Sequence, residues 1–311
     1  GKGKVLIEAD FIGAELFGMA VMSGDEKMID HAQRNQLPDT NPDHYDIHSN
    51  VAVQAFNLNC PPTKKGLSDA GMKHIRIVAK SVIFGIAYGR GANAISTEAK
   101  ASGHNVSKEE AQAVIDAIYA MYPRLAPFFA ECQARATGKF VDPETKQAAG
   151  RFLVNCYGRF RRFPVAIDQK MEAEFERQAM NYPMQSMVAS AMSRAIAYLH
   201  DYKMKKLRDT GLNLFDIVLQ VHDALIFEVE YRYVKFFCEL VLPNLMRNSV
   251  PIYPTTLDGV PTGSGPFYMG LEGDVMHHWG DALSYAEAEA CGLPTGVSRT
   301  AGCIVNYSKE N

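Results

Sequence analysis

The stretch RIVAKSVIFGIAYG, residues 76–89, constrains this chain more than any other. Its Arg76, Lys80, Phe84 and Tyr88 recur every fourth residue, so they lie along one face if the stretch is an α-helix. Two cations followed by two aromatic rings suit a ligand with a charged end and a flat apolar end, such as a nucleoside triphosphate. An amphipathic helix with a salt-bridged charged end explains the same spacing, so both interpretations stay open.

Two glycines interrupt the apolar side of the same stretch. We expect one long helix from Ser68 to Tyr88, ended by Gly89. Gly85 and Gly89 do not strengthen a helix, and their presence indicates that another group approaches the helix closely.

Carboxylates stand at the ends of two predicted strands. Asp10 closes the apolar strand GKVLIEADF, and Asp223 follows His222 inside the hairpin sequence QVHDALIFEVE. If both strands belong to one sheet, the two carboxylates meet, and they repel each other unless a cation lies between them. Two-metal phosphoryl transfer uses such an arrangement. The alternatives are a solvated turn at Asp223 and a favourable helix N-terminus for Asp10 and Glu15.

Composition describes an ordinary globular chain. Its 311 residues are 47% apolar and 22% charged, with a net charge of −3. Residues 150–164 carry four arginines and no acid, which favours a confined anionic ligand, with a solvated Arg-rich hairpin as the alternative. The six cysteines are scattered without a CxxC pair, and no signal peptide or transmembrane run is visible. We therefore expect free thiols, no zinc site and a cytoplasmic location, in a bacterium or a phage-infected cell.

The order of predicted elements favours an α+β fold. Acid-bearing strands occur near both ends, with helices and a hairpin around CYGRF between them. We also expect helices near residues 93–101, 107–121, 123–137 and 231–248. A long helix near 168–202 should be perturbed at Pro183.

These motifs, in this order, resemble motifs A, B and C of family A DNA polymerases, the bacterial polymerase I and phage polymerase group. DFIGAEL resembles Asp-Tyr-Ser-Gln-Ile-Glu-Leu, and RIVAKSVIFGIAYG matches Arg-x₃-Lys-x₃-Phe-Gly-x₂-Tyr-Gly. QVHDALIFEV is similar to Gln-Val-His-Asp-Glu and the strand that follows it. ERQAMNYPMQS, YGRFRRFP and DIHS resemble further family segments. The resemblance extends over residues 4–265.

The resemblance implies a palm with an antiparallel sheet and a helical fingers subdomain. It places the first part of the palm at 1–30, the fingers at 31–164 (motif B helix about 68–89), the second part of the palm at 165–270 and a C-terminal tail at 271–311. We expect the thumb and exonuclease domains to be absent. The implied function is template-directed addition of dNTPs to a primer 3′-hydroxyl with release of pyrophosphate.

The resemblance also implies roles for individual residues. Asp10, Asp223 and the carbonyl of Phe11 would hold two Mg²⁺ ions, for which Mn²⁺ could substitute. Arg76 and Lys80 would bind the triphosphate, and Lys80 would protonate the departing pyrophosphate. The remaining nucleotide contacts are Phe84 on the sugar, with Glu15 and Tyr88 as a steric gate. The implied DNA contacts are Arg177, Asn181 and Gln185 in the minor groove, His222 on the primer-terminal phosphate, and Arg159, Arg161 and Arg162 on the backbone.

The sequence departs from the family at Gly13, Phe17, Ile77 and Ala224, the last replacing the Glu that follows the motif C Asp. Few residues precede motif A, so we expect a split polymerase completed by a separate polypeptide that supplies the thumb, the rest of the palm and a 3′–5′ exonuclease. A processed or recombinant fragment is the alternative. Other functions kept open are a single-subunit RNA polymerase fragment and a non-catalytic structural subunit.

Overall fold

The computed structural model describes residues 3–101, 103, 106–300 and 302–308. The chain divides into two compact units. A sheet unit contains residues 1–14, 188–252 and 266–311, and a helical unit contains residues 15–187 and 253–265. The mixed α+β class predicted from the sequence is confirmed.

The helical unit consists largely of short amphipathic helices that surround an apolar core. They are α1 (Ala14–Ser23), α2 (Glu26–Asn35), α3 (Ile47–Ala55), α4 (Lys64–Asp69), α5 (Lys73–Ala87), α6 (Ala92–Ala101), α7 (Lys108–Met121) and α8 (Leu125–Thr137). A small antiparallel hairpin follows, β2 (Phe152–Val154) with β3 (Phe160–Arg162). The core is filled by fully buried side chains, among them Phe17, Ile47, Leu67, Tyr122 and Leu125.

Local signals place most of these helices correctly. Ser107 caps α7, and Glu110 completes a capping box by bonding back to the Ser107 amide. The single helix predicted from Ser68 to Tyr88 is wrong, because α4 ends at Asp69 and α5 starts at Lys73. Between them Gly71 has φ +71°, a left-handed conformation that ends a helix.

The sheet unit is built on strands from distant parts of the chain. They are β1 (Lys4–Phe11), β4 (Phe215–Val221), β5 (Ala224–Glu230), β6 (Leu271–His278), β7 (Asp281–Ala282), β8 (Val297–Thr300) and β9 (Cys303–Asn306). The strand order is β4-β5-β1-β6-β9-β8, with β7 paired to β6. Pairing is antiparallel throughout, except that β6 and β9 run parallel.

Successive side chains of β1 point to opposite faces of the sheet, which determines which of them are accessible to a ligand. Val5, Ile7, Ala9 and Phe11 are buried on the core face, while the residues between them lie on the more open face. Asp10 therefore shares the open face of the sheet with Glu8.

Two predicted helices differ in detail from the structure. α9 (Gln169–Thr210) continues without interruption past Pro183, so the expected perturbation does not break it. Residues 231–248 are helical but irregular: a 3-10 turn leads into α10 (Val234–Phe236), and π-type turns follow it. Phe237 of this segment packs against Phe215 and Phe227 of the sheet, with ring centroids 4.9 to 5.8 Å apart.

The segment from Leu271 onward belongs to the sheet unit. β6 begins at Leu271, where the predicted tail begins, yet it pairs with β1 inside the sheet. α11 (Tyr285–Ala290), β8 and β9 belong to the same unit. Assignment of the names palm and fingers stays a prediction. None of the described helices has the length and apolar character needed to cross a membrane.

Candidate active site

The two predicted metal-binding carboxylates lie on β1 and in the turn that leads into its neighbour β5. Asp10 lies opposite Ala224 in the β1–β5 register, and Asp223 immediately precedes Ala224. Val221 pairs with Ala224, so His222 and Asp223 form a two-residue turn between β4 and β5. His222 has φ +54°, a conformation that costs a non-glycine residue about 1 kcal/mol. The hairpin thus brings Asp223 beside Asp10 through a turn that glycine would form more easily.

The electrostatics of Asp10 agree with this placement. Burial, followed by the charge of Asp223, raises the pKa of Asp10 to about 7. That value includes smaller upward effects of Glu272 and Glu8 and a downward effect of a hydrogen bond from the Phe11 amide. A cation beside this carboxylate would compensate its charge and favour its ionised form.

The donor atoms at this place fit a hard divalent cation. Oδ1 of Asp10 is buried and has no hydrogen-bond partner among the described residues. The expected ligand set has only two carboxylates and a main-chain carbonyl, and oxygen-only ligands suit Mg²⁺. No cluster of three or more His, Cys, Asp or Glu side chains able to hold a metal occurs in the described part of the chain.

The aromatic and cationic stripe of α5 lies in the helical unit. Lys80 Nζ lies 5.8 Å from the ring centroid of Phe84. Lys80, Phe84 and Tyr88 line a cleft of about 400 Å³ between α5 and α6. Lys80 and Tyr88 are exposed and Phe84 is half-buried, so all three are accessible to a ligand.

Arg76, the fourth member of the stripe, is held by a buried acid. Its Nε and Nη2 donate to the carboxylate of Asp46, the N-cap of α3, over 2.8 and 3.1 Å. Burial alone would raise the pKa of Asp46, but hydrogen bonds from His48, Arg76 and Ser49 hold that pKa well below its usual range. The alternative interpretation of this helix, a charged end held by a salt bridge, therefore applies to Arg76. The ion pair with Asp46 holds the guanidinium beside α3.

His48 is a candidate that the sequence analysis missed. Its ring stacks near Phe84 with centroids 6.3 Å apart, and its buried Nε2 has no hydrogen-bond partner among the described residues. Burial lowers the pKa of His48, and the charges of Arg76 and Lys80 lower it as well, against the effect of Asp46. The DIHS segment was noted only as a resemblance, and its closeness to α5 cannot be inferred from spacing.

The predicted steric-gate residues are in contact through a glutamine. Gln185 Nε2 donates to Glu15 Oε1 over 3.2 Å and to the Tyr88 hydroxyl over 3.1 Å. α1, α5 and α9 thus bring together three residues that are far apart in sequence. Their predicted roles toward a nucleotide and DNA stay predictions.

The predicted DNA contacts of α9 share one face. Arg177, Asn181 and Gln185 follow each other at intervals of four, and Arg177 forms an ion pair with Glu174. His222 belongs to the other compact unit, at the exposed hairpin turn.

The arginine-rich hairpin packs on the same long helix. The guanidinium of Arg161 donates a hydrogen bond to the Gln178 side chain and lies 5.8 Å from the Tyr182 ring centroid. The Tyr182 hydroxyl donates to the Arg159 carbonyl over 2.8 Å. Arg159 and Arg162 are exposed. The predicted backbone contacts are therefore fixed to the helix that carries the predicted minor-groove contacts.

Packing and backbone conformation explain the two glycines of the α5 motif, Gly85 and Gly89. A Cβ at Gly85 would lie 2.7 Å from Ile95 Cγ1, and one at Gly89 would lie 3.0 Å from Met180 Sδ. Gly89 also has φ +68°. The close approach expected from the sequence is made by side chains of α6 and α9.

Comparisons with known proteins are consistent with this arrangement. A sequence model described as DNA polymerase family A matches residues 1–258. DNA polymerase I of Pseudomonas aeruginosa is 30% identical over 78% of this chain and 23% of its own length. DNA polymerase I of Caldicellulosiruptor bescii is 28% identical over 83% of this chain and 26% of its own length. The chain therefore spans about a quarter of the length of these relatives.

A solved structure has the same fold. It is described as the POL domain of Pol1 from M. smegmatis in complex with DNA primer-template and dNTP. The superposition covers 90% of this chain and 41% of that chain, with a TM-score of 0.63 and 24% identity. Together with the match of the family model to most of the chain, the motifs and the sheet that joins Asp10 to Asp223 lead to one conclusion: this chain belongs to DNA polymerase family A.

Proposed function

We propose that this chain is the catalytic part of a template-directed DNA polymerase, which adds dNTPs to a primer 3′-hydroxyl and releases pyrophosphate. The observation that carries the proposal is the pair Asp10 and Asp223, held side by side by β1 and the β4–β5 turn. Membership of the family supports the same activity.

Asp10, Asp223 and the carbonyl of Phe11 would hold two Mg²⁺ ions. When bound, the ions make the primer hydroxyl a better nucleophile and stabilise charge on the leaving oxygens. The buried, unpartnered Oδ1 of Asp10 supports this assignment, because such an atom is costly without a cation. Mn²⁺ prefers similar oxygen ligands and would substitute.

Residues of α5 would bind the nucleotide. Lys80 lies on the accessible side of the helix, where its ammonium can neutralise the triphosphate and donate a proton to the departing pyrophosphate. Phe84 would pack on the sugar. Arg76 would add a donor to the phosphates, with Asp46 holding its side chain in place.

Glu15, Tyr88 and Gln185 would together select the sugar and the base pair. Glu15 and Tyr88 would leave no room for a 2′-hydroxyl, and Gln185 fixes both side chains by hydrogen bonds. Gln185, Asn181 and Arg177 would face the minor groove, where acceptors are similar at every Watson–Crick pair. Such contacts test the geometry of the pair without reading sequence.

The remaining predicted contacts would bind the DNA backbone. Arg159, Arg161 and Arg162 offer guanidinium groups to phosphates, and His222 would contact the phosphate at the primer end. The exposure of Arg159, Arg162 and His222 supports these roles.

A separate polypeptide that supplies a thumb and further palm strands stays a prediction. The outer edge of β4 supports it, because β4 has no strand partner on that side among the described residues. Val218 and Leu219 of this strand are 52% and 42% exposed, and an apolar strand edge favours pairing with another chain. Affinity purification from the native source, followed by mass spectrometry, tests for a thumb-bearing partner.

Primer extension on a defined template tests the proposed activity, with dNTPs and rNTPs supplied in separate reactions. We expect only the dNTP complementary to the template base to be added. Extension with rNTPs alone would identify an RNA polymerase instead. Extension that ignores the template base would contradict template direction.

A further inference from the structure

We infer that Asn155 and Tyr182 position Arg159 for a DNA phosphate, because they fix the main chain at the tip of the β2–β3 hairpin. The inference rests on the proposed function and deepens it, since Arg159 is one of the proposed contacts to the DNA backbone. No role has been assigned above to Asn155 or to the side chain of Tyr182 in DNA binding.

The tip of the hairpin is folded around one buried side chain, that of Asn155. Its Oδ1 accepts hydrogen bonds from the amides of Tyr157 and Arg159 over 3.0 and 2.9 Å. Its own amide donates to the Arg159 carbonyl over 3.0 Å. An asparagine that bonds in this way to amides further along the chain stabilises a turn. Asn155 therefore determines the course of the main chain at Arg159.

The long helix α9 holds the same tip through two of its side chains. Asn155 Nδ2 donates to Ser186 Oγ over 3.0 Å, and the Tyr182 hydroxyl donates to the Arg159 carbonyl over 2.8 Å. Tyr182 and Ser186 are four residues apart, so they lie on one face of the helix. The amide and the carbonyl of Arg159 are thus both bonded to groups that are themselves anchored.

The guanidinium of Arg159, in contrast to its main chain, is available to a ligand. It is exposed, and it forms no hydrogen bond or ion pair with any residue that the structure describes. Arg161 and Arg177 are bonded to Gln178 and Glu174. A guanidinium that extends from a fixed main chain loses less conformational freedom when it binds a phosphate, so its binding is stronger.

Primer–template binding to the full chain, measured by fluorescence anisotropy over a range of salt concentrations, tests this inference. We expect Arg159→Ala to weaken binding about tenfold and to reduce the slope of log affinity against log salt by about one. Asn155→Ala should weaken binding about fivefold, and Tyr182→Phe about threefold, because the arginine is kept but is no longer fixed. Tyr253→Phe, which removes an exposed hydroxyl elsewhere, is the matched control and should change nothing.

Combination with Arg159→Ala separates positioning from a general structural role. If Asn155 and Tyr182 act through Arg159, Asn155→Ala and Tyr182→Phe should weaken binding no further once that arginine is absent. Tyr182→Phe keeps the aromatic ring, so it provides the same test even if Asn155→Ala fails to fold. Equal weakening with and without Arg159, or unchanged binding by Tyr182→Phe, overturns the inference.

The proposed DNA contact and the proposed activity have their own readouts. If Arg159→Ala weakens binding and Tyr182→Phe does not, the backbone contact stands and the positioning role is wrong. If Arg159→Ala binds as the unaltered chain does, the contact is wrong and the positioning role fails with it. Primer extension by the unaltered chain tests the polymerase activity independently of both.

Discussion

Arg76 and Asp46 form a bidentate ion pair, with N–O distances of 2.8 and 3.1 Å, which connects α5 to the N-terminus of α3. Asp46 is only 4% exposed. Asp46→Asn would leave the guanidinium without its counter-charge, so we expect a loss of about 3 kcal/mol in unfolding free energy. Urea denaturation measures it. The exposed pair Lys64–Asp39 provides the control, since Asp39→Asn should cost less than about 1 kcal/mol.

The same pair has a pH signature. The folded-state pKa of Asp46 is depressed, so its contribution to stability is present above the unfolded pKa of about 4 and is lost as the pH falls below it. Stability measured from pH 6 to pH 2 should therefore decline less steeply in Asp46→Asn than in the unaltered chain. Equal slopes would show that Asp46 is not held ionised by Arg76.

Gln185 should contribute to discrimination between dNTPs and rNTPs, because it positions Glu15 and Tyr88. Gln185→Ala removes the hydrogen bonds to Glu15 and Tyr88, so both side chains lose their fixed orientation. We expect discrimination against rNTPs, measured as the ratio of kcat/KM for dNTP and rNTP, to fall about tenfold. Gln112→Ala, an exposed substitution on α7, is the control. An unchanged ratio in Gln185→Ala would show that this network does not set the gate.

Gly85 is required by the packing of α6 on α5. In Gly85→Ala the new methyl would lie 2.7 and 2.8 Å from Cγ1 and Cδ1 of Ile95, so we expect a loss of about 1 to 2 kcal/mol despite the higher helix propensity of alanine. Ile95→Ala, itself destabilising, should remove this penalty when the two substitutions are combined. Additive losses in the double-mutant cycle would contradict the contact.

Asp10 should make the metal-free chain less stable as the pH rises. Its folded pKa of about 7 exceeds the unfolded value, so the fold retains a proton that the unfolded chain releases. Its contribution to stability is complete below about pH 4 and is lost progressively up to about pH 7. Asp10→Asn should therefore be more stable than the unaltered chain at pH 8 without metal, by about 2 kcal/mol.

Magnesium should reverse this order. At pH 8, Mg²⁺ should raise the melting temperature of the unaltered chain more than that of Asp10→Asn, and more than at pH 6. A Mg²⁺ effect that is independent of pH or of Asp10 would contradict the assignment of this carboxylate.

Much of the fold follows from local sequence. The capping box of Ser107 and Glu110 and the hairpin at His222–Asp223 depend on neighbouring residues, so their positions could be predicted. The prediction missed the break at Gly71, whose left-handed φ of +71° separates α4 from α5. The pairing of β6 with β1 was not predicted, because β1 lies more than 250 residues earlier in the chain.

The candidate site also combines residues whose positions were predictable from the sequence with residues whose positions were not. Spacing along α5 correctly aligned Lys80, Phe84 and Tyr88, because one helix sets their geometry. Asp46 and His48 reach this helix by tertiary contacts that no periodicity reveals. The burial of Asp10 Oδ1, which has no hydrogen-bond partner in the described part of the chain, likewise depends on the flanking strands β5 and β6.

The most direct test of the central claim is single-nucleotide incorporation from a defined primer–template with Mg²⁺, comparing the unaltered chain with Asp10→Asn and Asp223→Asn. Both carboxylates are assigned to the cations that carry the reaction, so each substitution should lower the incorporation rate at least about a thousandfold, a barrier increase of roughly 4 kcal/mol. Primer–template binding should change little. Incorporation by Asp223→Asn at the rate of the unaltered chain would contradict the claim.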